Sequence, residues 1–118
     1  MLEGVACGLR DSLDLVAALG ARPERGRVSG GGARSELWLR IIASVLELPL
    51  ERLAVEEGAA YGAALLGGVA GGVFADVEEA VAACVRPRDA VDPVPEWIEP
   101  YRELRARYRA LYPALRGE

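Results

Sequence analysis

The sequence predicts an α/β fold in which short parallel strands are packed by several helices, and three observations carry that reading. A length of 118 residues, 52% hydrophobic content and a net charge of −4 are those of one ordinary globular domain. Within it a short β-prone run, Arg27-Val28-Ser29, leads straight through Gly30-Gly31-Gly32 into a segment with helical spacing. Apolar residues recur three and four positions apart in several further segments, the mark of helices with one buried face.

In chain order, Leu2 to Leu19 reads as the first helix. Leu2, Val5, Ala6, Leu9, Leu13, Val16 and Ala17 share a face, and Gly20 ends the run. No Ser, Thr or Asp precedes it as a cap, so the chain is expected to be cut into here rather than to start here. Gly4 and Gly8 lie one turn apart, and glycine costs a helix about 1 kcal/mol relative to alanine, which predicts a closely packed neighbour.

Pro23 to Gly26 forms a turn before the strand at 27–29. Leu37, Trp38, Ile41, Ile42, Val45 and Leu46 then define a helix ending near Pro49, with Ser35 as its N-cap. Leu50 to Val55 is expected as a second strand, and Glu56-Glu57 opens a helix running to Leu66. Ala59, Ala60, Gly62, Ala63 and Ala64 leave that helix little side-chain bulk, and Gly67-Gly68 should break it.

Asp76 caps a short helix to about Val85, and the Arg-, Asp- and Pro-rich stretch from there to Pro95 predicts an irregular surface connector. Trp97, Tyr101, Leu104, Tyr108, Leu111 and Tyr112 fall on one face of a last helix that Pro113 should close. Arg102, Arg105, Arg107 and Arg109 alternate with Glu99 and Glu103, the pattern of a solvated face.

Composition removes much chemistry. Lys, His, Asn, Gln and Thr are absent, which excludes a Walker-type lysine loop, a Schiff-base enzyme, Ser-His triads and most zinc sites. Cys7 and Cys84 have no second cysteine nearby, so neither a metal knuckle nor a redox pair is suggested, and two free thiols in a reducing cytoplasm are expected. The acidic balance, with a pI near 5.0, argues against nucleic acid as a partner. Gly58 to Ala75 is an uncharged stretch of 18 residues, but twelve of them are Gly or Ala, so no membrane span is expected. The first residues lack the basic and apolar runs of a secretory signal, and a cytoplasmic location follows as the expectation.

The glycine run is the best chemical signal. A glycine loop between a strand end and a helix start turns main-chain amides and the positive helix end toward one point, which suits phosphates and nucleotides. Such a loop also occurs where the chain merely needs a tight corner. Gly30 to Ser35 partly imitates the dinucleotide fingerprint, with Glu56 beyond the next strand as a ribose acid; Ser35, however, stands where the third glycine belongs, and a long helix comes first.

A second reading uses more of the chain. Ser29-Gly30-Gly31-Gly32-Ala33-Arg34-Ser35-Glu36-Leu37-Trp38 resembles the adenosine motif of the FGGY family of carbohydrate kinases, within it most closely the xylulokinases. Glu56 to Ala64 resembles the second connecting motif of the actin-like ATPases, Leu2 to Ala6 the helix before the adenosine motif, and Arg107 to Leu115 a xylulokinase terminus. The resemblance implies part of an actin-like ATPase (ribonuclease H-like) fold, with residues 1–118 as one domain, the C-terminal part of the nucleotide-binding domain of a sugar kinase. It implies ATP or ADP as ligand, with Gly30, Gly31 and Gly32 against the nucleotide and Ser35 near the adenine. The two phosphate motifs, the first connecting motif, the sugar site and the catalytic Asp have no counterpart here, so no catalytic residue is assigned. Ligands for the magnesium of MgATP, and contacts to the sugar, are expected outside this chain. Without the strands that precede it in the family, the first strand should keep a bare edge, and self-association as a homodimer or exchange of elements is expected to cover it. A non-catalytic binding or structural module on the same scaffold is the alternative.

Overall fold

A computed structural model describes residues 1–55 and 58–117. The elements run α1 (Leu2–Ala18), β1 (Gly26–Val28), a 3-10 turn (Gly31–Arg34), α2 (Glu36–Leu46), β2 (Leu50–Leu53), α3 (Gly58–Ala70), α4 (Val77–Cys84), β3 (Pro87–Val91) and α5 (Pro95–Arg116). The strands form one sheet in the order β1-β2-β3. β1 and β2 are parallel, with Gly26 opposite Leu50 and Val28 opposite Arg52. α2 lies in the crossover that such pairing requires.

The core gathers around α2. Leu39, Ile41, Ile42, Ala43 and Val45 meet Ala6 and Cys7 of α1, Leu50 of β2 and Val91 of β3, and Trp97, Tyr101 and Tyr108 of α5 lie half-buried against them. Among the described residues Ser44 is the one buried polar residue, and both its bonds are made: its hydroxyl donates to the Arg40 carbonyl (2.7 Å) and accepts from the Val94 amide (2.9 Å), tying α2 to the entry of α5. Cys7 is buried, and burial pushes its thiol above the ordinary value.

Ion pairs clamp α5 across the helices. Arg105 donates to Asp11 (2.8 Å) and to Asp14 on α1, and Arg102 grips both carboxylate oxygens of Glu47 (2.5 and 3.0 Å). Glu47 follows α2 in the left-handed region, φ 55°, a conformation that a residue with a side chain rarely takes. Hydrogen bonds from Arg10 and then Arg105 hold the Asp14 carboxyl below its ordinary range, and Arg102 does the same to Glu47. Both shifts favour the charged form in the folded state. Their stabilisation is present above the ordinary carboxylate values, 3.8 and 4.5, and is lost as the pH falls through the lower folded values. Thermal melts should therefore show a plateau near neutrality and a melting temperature that falls steadily below pH 4.5; an unchanged melting temperature down to pH 3 would contradict these clamps.

Several expectations are corrected. The stretch after Val85 is no irregular connector: Pro87–Val91 is a strand antiparallel to β2, so the sheet is mixed rather than a pair of parallel strands. The first strand covers 26–28 instead of 27–29, and the second ends at Leu53. α3 passes through Gly67-Gly68 to Ala70 because Phe74 folds back over Gly68, whose absent side chain leaves room for the ring. α5 passes through Pro113, which forfeits only the bond to the Arg109 carbonyl, in a last turn that is exposed to solvent. Arg102 and Arg105 are clamps, not members of a freely solvated face. The neighbour expected at the α1 glycines is found at Gly8, where the Tyr108 hydroxyl lies 3.5 Å from the position of a Cβ; nothing lies within 4 Å at Gly4. The Glu56-Glu57 helix start lies outside the described residues.

The apolar face expected of α1 is also largely misplaced. Of its seven members only Ala6 is buried, whereas Leu2, Val5, Leu9 and Val16 are exposed. α3 likewise has no buried residue; it packs on α4, where the Tyr61 hydroxyl donates to the Cys84 carbonyl (2.8 Å) and Asp76 caps the helix by accepting from the Glu79 amide (2.8 Å). The result is an open shape of 57 × 30 × 25 Å, its radius of gyration 17.5 Å where about 13–14 Å is usual for this length. Among the described residues no helix is long and apolar enough to cross a membrane.

Candidate functional site

β1 runs out at Val28 into Ser29 and the glycine run, all of it exposed from Ser29 to Gly32. Gly30 has φ 86° and ψ −179°, a conformation essentially reserved for glycine. It starts the 3-10 turn: its carbonyl accepts from the Ala33 amide (3.1 Å), and the Gly32 carbonyl accepts from the Ser35 amide (3.2 Å). The amides of Gly31 and Gly32 stand ahead of these bonds and have no acceptor within the turn. The two glycines differ in surroundings. A Cβ on Gly31 would meet nothing within 4 Å, while one on Gly32 would press on the Trp38 indole at 3.2 Å. Trp38 is thus the floor of the turn, and the space beside Gly31 is open.

Ser35 is the N-cap of α2, as the sequence predicts. Its hydroxyl oxygen accepts from the Trp38 amide (3.2 Å), and the side chain stays exposed. The four residues singled out from the sequence, Gly30, Gly31, Gly32 and Ser35, therefore lie on one exposed corner at the end of a parallel strand. α3 begins beside it, since a Cβ on Gly58 would sit 3.1 Å from the Ser29 hydroxyl, which brings the two sequence motifs together.

Sequence reasoning missed the basic floor next to the corner. A cleft of about 10 Å³, room for one water, is lined by Val28, Ser29, Gly30, Ala33 and Arg34 together with Arg52, Leu53, Val55 and Arg88. Arg52 is fixed there by paired bonds to Asp89 (2.7 and 2.6 Å) and a bond to Glu36 in the first turn of α2 (3.3 Å). Those bonds hold the Asp89 carboxyl below its ordinary range. Arg88 and Asp89 belong to the strand that the sequence did not betray. The cleft is too small for a base or a sugar, so a ligand of that size would lie on the glycine corner and need a second wall. Among the described residues no group of three or more His, Cys, Asp or Glu side chains could hold a metal ion.

A parallel strand opening through glycines onto a capped helix, in this mixed sheet, is one part of an actin-like ATPase fold, and solved sugar kinases share it. The chain belongs to the FGGY family of carbohydrate kinases, whose C-terminal domain matches residues 1–71. The xylulose kinase of Staphylococcus epidermidis strain RP62A is 30% identical over 112 residues, 95% of this chain and 23% of that protein. The autoinducer-2 kinase of Escherichia coli O9:H4 is 36% identical over 84 residues, 71% of this chain and 16% of that one. The crystal structure of xylulose kinase from Rhodospirillum rubrum superposes with a TM-score of 0.80 at 35% identity, covering 98% of this chain and 24% of that one. The chain thus spans about a quarter of the xylulose kinases it matches. Membership in this family sets aside the dinucleotide reading, and Glu56, its candidate ribose acid, lies outside the described residues.

Proposed function

We propose that this chain, as one domain over residues 1–118, is the C-terminal nucleotide-binding portion of an ATP-dependent sugar kinase of xylulose kinase type, working in the cytoplasm. The observation that carries the proposal is the exposed glycine corner at the end of β1, with free amides at Gly31 and Gly32 and open space beside Gly31. Gly30, Gly31 and Gly32 lie against ATP or ADP, and Ser35 lies near the adenine. The residues present fit a nucleotide laid along the corner; they do not form a magnesium site, whose ligands come from sequence outside this chain. Magnesium, when bound, neutralises phosphate charge. The sugar, whether a ketopentose or a relative of the substrate of the autoinducer-2 kinases, is met only by the complete enzyme.

Phosphoryl transfer needs donor and acceptor held in line and charge neutralised from several sides. Half a cleft supplies neither, so the isolated chain is inactive. The free edge of β1 and the exposed apolar helix faces support self-association, with a homodimer as the product. Titration of the purified chain with ATP, followed by tryptophan emission, tests the nucleotide reading. Weak saturable binding is expected, and Gly31→Trp should abolish it with the fold intact, because a Cβ there meets no protein atom within 4 Å and the indole extends from an exposed position. A coupled assay should show no ATP- and xylulose-dependent turnover; turnover would contradict the inactivity. A chain that never binds ATP favours the non-catalytic module instead.

A further inference from the structure

The glycine corner needs more than its own bonds to hold its place. The turn is closed locally, from the Ala33 amide to the Gly30 carbonyl and from the Ser35 amide to the Gly32 carbonyl, and Gly30 to Gly32 are exposed. Such bonds shape a turn but do not set where it stands on the sheet. The core does not anchor its exit either, since the buried residues of α2 begin at Leu39 and Glu36 and Leu37 are exposed.

Arg52 meets both ends of the turn. On β2 it stands in register with Val28, the last residue of β1, and with Asp89 of β3 on the other side. Its side chain is 15% exposed and lines the same cleft as Ser29 and Gly30. Nε and Nη2 donate to the two Asp89 oxygens (2.7 and 2.6 Å), which fixes the planar fork, and Nη2 also donates to Glu36 Oε2 (3.3 Å). Glu36 directly follows the cap Ser35, and its other oxygen accepts from Arg40 one turn on (3.3 and 3.2 Å). The carboxylate is thus held from its own helix and from the sheet at once. Two residues further, Trp38 supports Gly32 from below. An isolated surface ion pair does little, but this one sits on the central strand and joins the entry of the glycine turn to its exit.

We propose that Arg52 is a positioning residue for nucleotide binding: held by Asp89, it fixes through Glu36 the span between the end of β1 and the start of α2, and with it the aim of the Gly31 and Gly32 amides. The inference rests on the reading of the corner as a nucleotide site and adds to it a residue that acts through Glu36 without touching the ligand. Its contribution is preorganisation of the turn before the ligand arrives.

Titration of the full chain with ADP, for the wild type, Arg52→Gln, Glu36→Gln and the double variant, tests it. Arg52→Gln should bind about 10-fold more weakly, the worth of one charge-assisted hydrogen bond. Asp89 and Glu36 are 41% and 54% exposed, so neither becomes a buried unpaired charge and the circular dichroism spectrum should not change. Glu36→Gln separates positioning from simple attraction. It removes a negative charge near an anion, so a pure charge effect tightens ADP binding, whereas positioning requires it to weaken several-fold. The double variant should bind no more weakly than Arg52→Gln, because both changes cut the same link. In the ligand-free chain both single variants should move the amide signals of Gly30, Gly31 and Gly32. Wild-type affinity in Arg52→Gln, tighter binding in Glu36→Gln, or additive losses overturn the inference and leave the nucleotide reading standing. If Arg52→Gln does not fold, Glu36→Gln decides by the sign of its effect. A wild-type chain that binds no ADP refutes the nucleotide reading itself, and the inference falls with it.

Discussion

Leu39→Ala is expected to remove about 3–4 kcal/mol of stability, the largest effect of any single truncation in this chain. Leu39 is 1% exposed, the bulkiest of the fully buried side chains, and sits in the one cluster that joins α1, α2, β2 and β3. Little can collapse into the space it leaves. Ala6, Cys7 and Ala43 beside it are small, and α2 is held in place by Ser44 and the Arg10 bonds to its last carbonyls. For an open domain with few buried residues, such a loss is a large share of the usual 5–15 kcal/mol. Urea unfolding should show a lower midpoint with an unchanged slope. A midpoint within the error of the wild type would mean that this cluster is not the stabilising core.

The second large effect concerns the glycine corner. Gly30→Ala should leave the chain folded but weaken ATP binding by about 10–100-fold. The backbone at Gly30 occupies a region that an L-residue enters only at a cost of order 1–3 kcal/mol, so the turn re-forms only when a ligand supplies that energy. Gly31→Ala is the internal control: its φ is not in the positive range and its Cβ meets open space, so stability should hardly change. Calorimetric titration of both variants with ATP, beside thermal melts, separates the two positions. Equal affinities for Gly30→Ala and the wild type would show that the turn's conformation is irrelevant to the ligand.

The elements most legible in the sequence are those whose signal is local. Ser35 and Asp76 cap helices as read, since capping depends only on a side chain and the amides two or three positions on. The strand, glycine turn and helix around residues 26–46 were readable because a period of two gives way to a period near four across three glycines. β3 was hidden because Pro87 to Ala90 are exposed and only Val91 is buried, so no alternation marks it; backbone pairing with β2 and the Arg52–Asp89 bonds make the strand. On α1 the apolar period marks a helix but not its inner face. Small Ala6 and Cys7 together with charges paired across helices form the inner face, while the bulkier stripe points outward. Periodicity reports that a helix has sides, but not which one this chain covers by itself. The same limit applies to the site: the glycines and Ser35 lie within seven residues of one another, whereas Arg52 and Arg88 reach the corner only through tertiary structure.

The central claim is that the corner formed by residues 30–35 receives a purine nucleotide. Amide chemical-shift mapping of the isotopically labelled chain during titration with ADP tests it most directly. The predicted outcome is a contiguous set of shifts at Gly30, Gly31, Gly32 and Ser35, with the Trp38 indole N–H moving in step because it underlies Gly32. Saturable shifts elsewhere that leave these amides unmoved, or none at millimolar nucleotide, would contradict it.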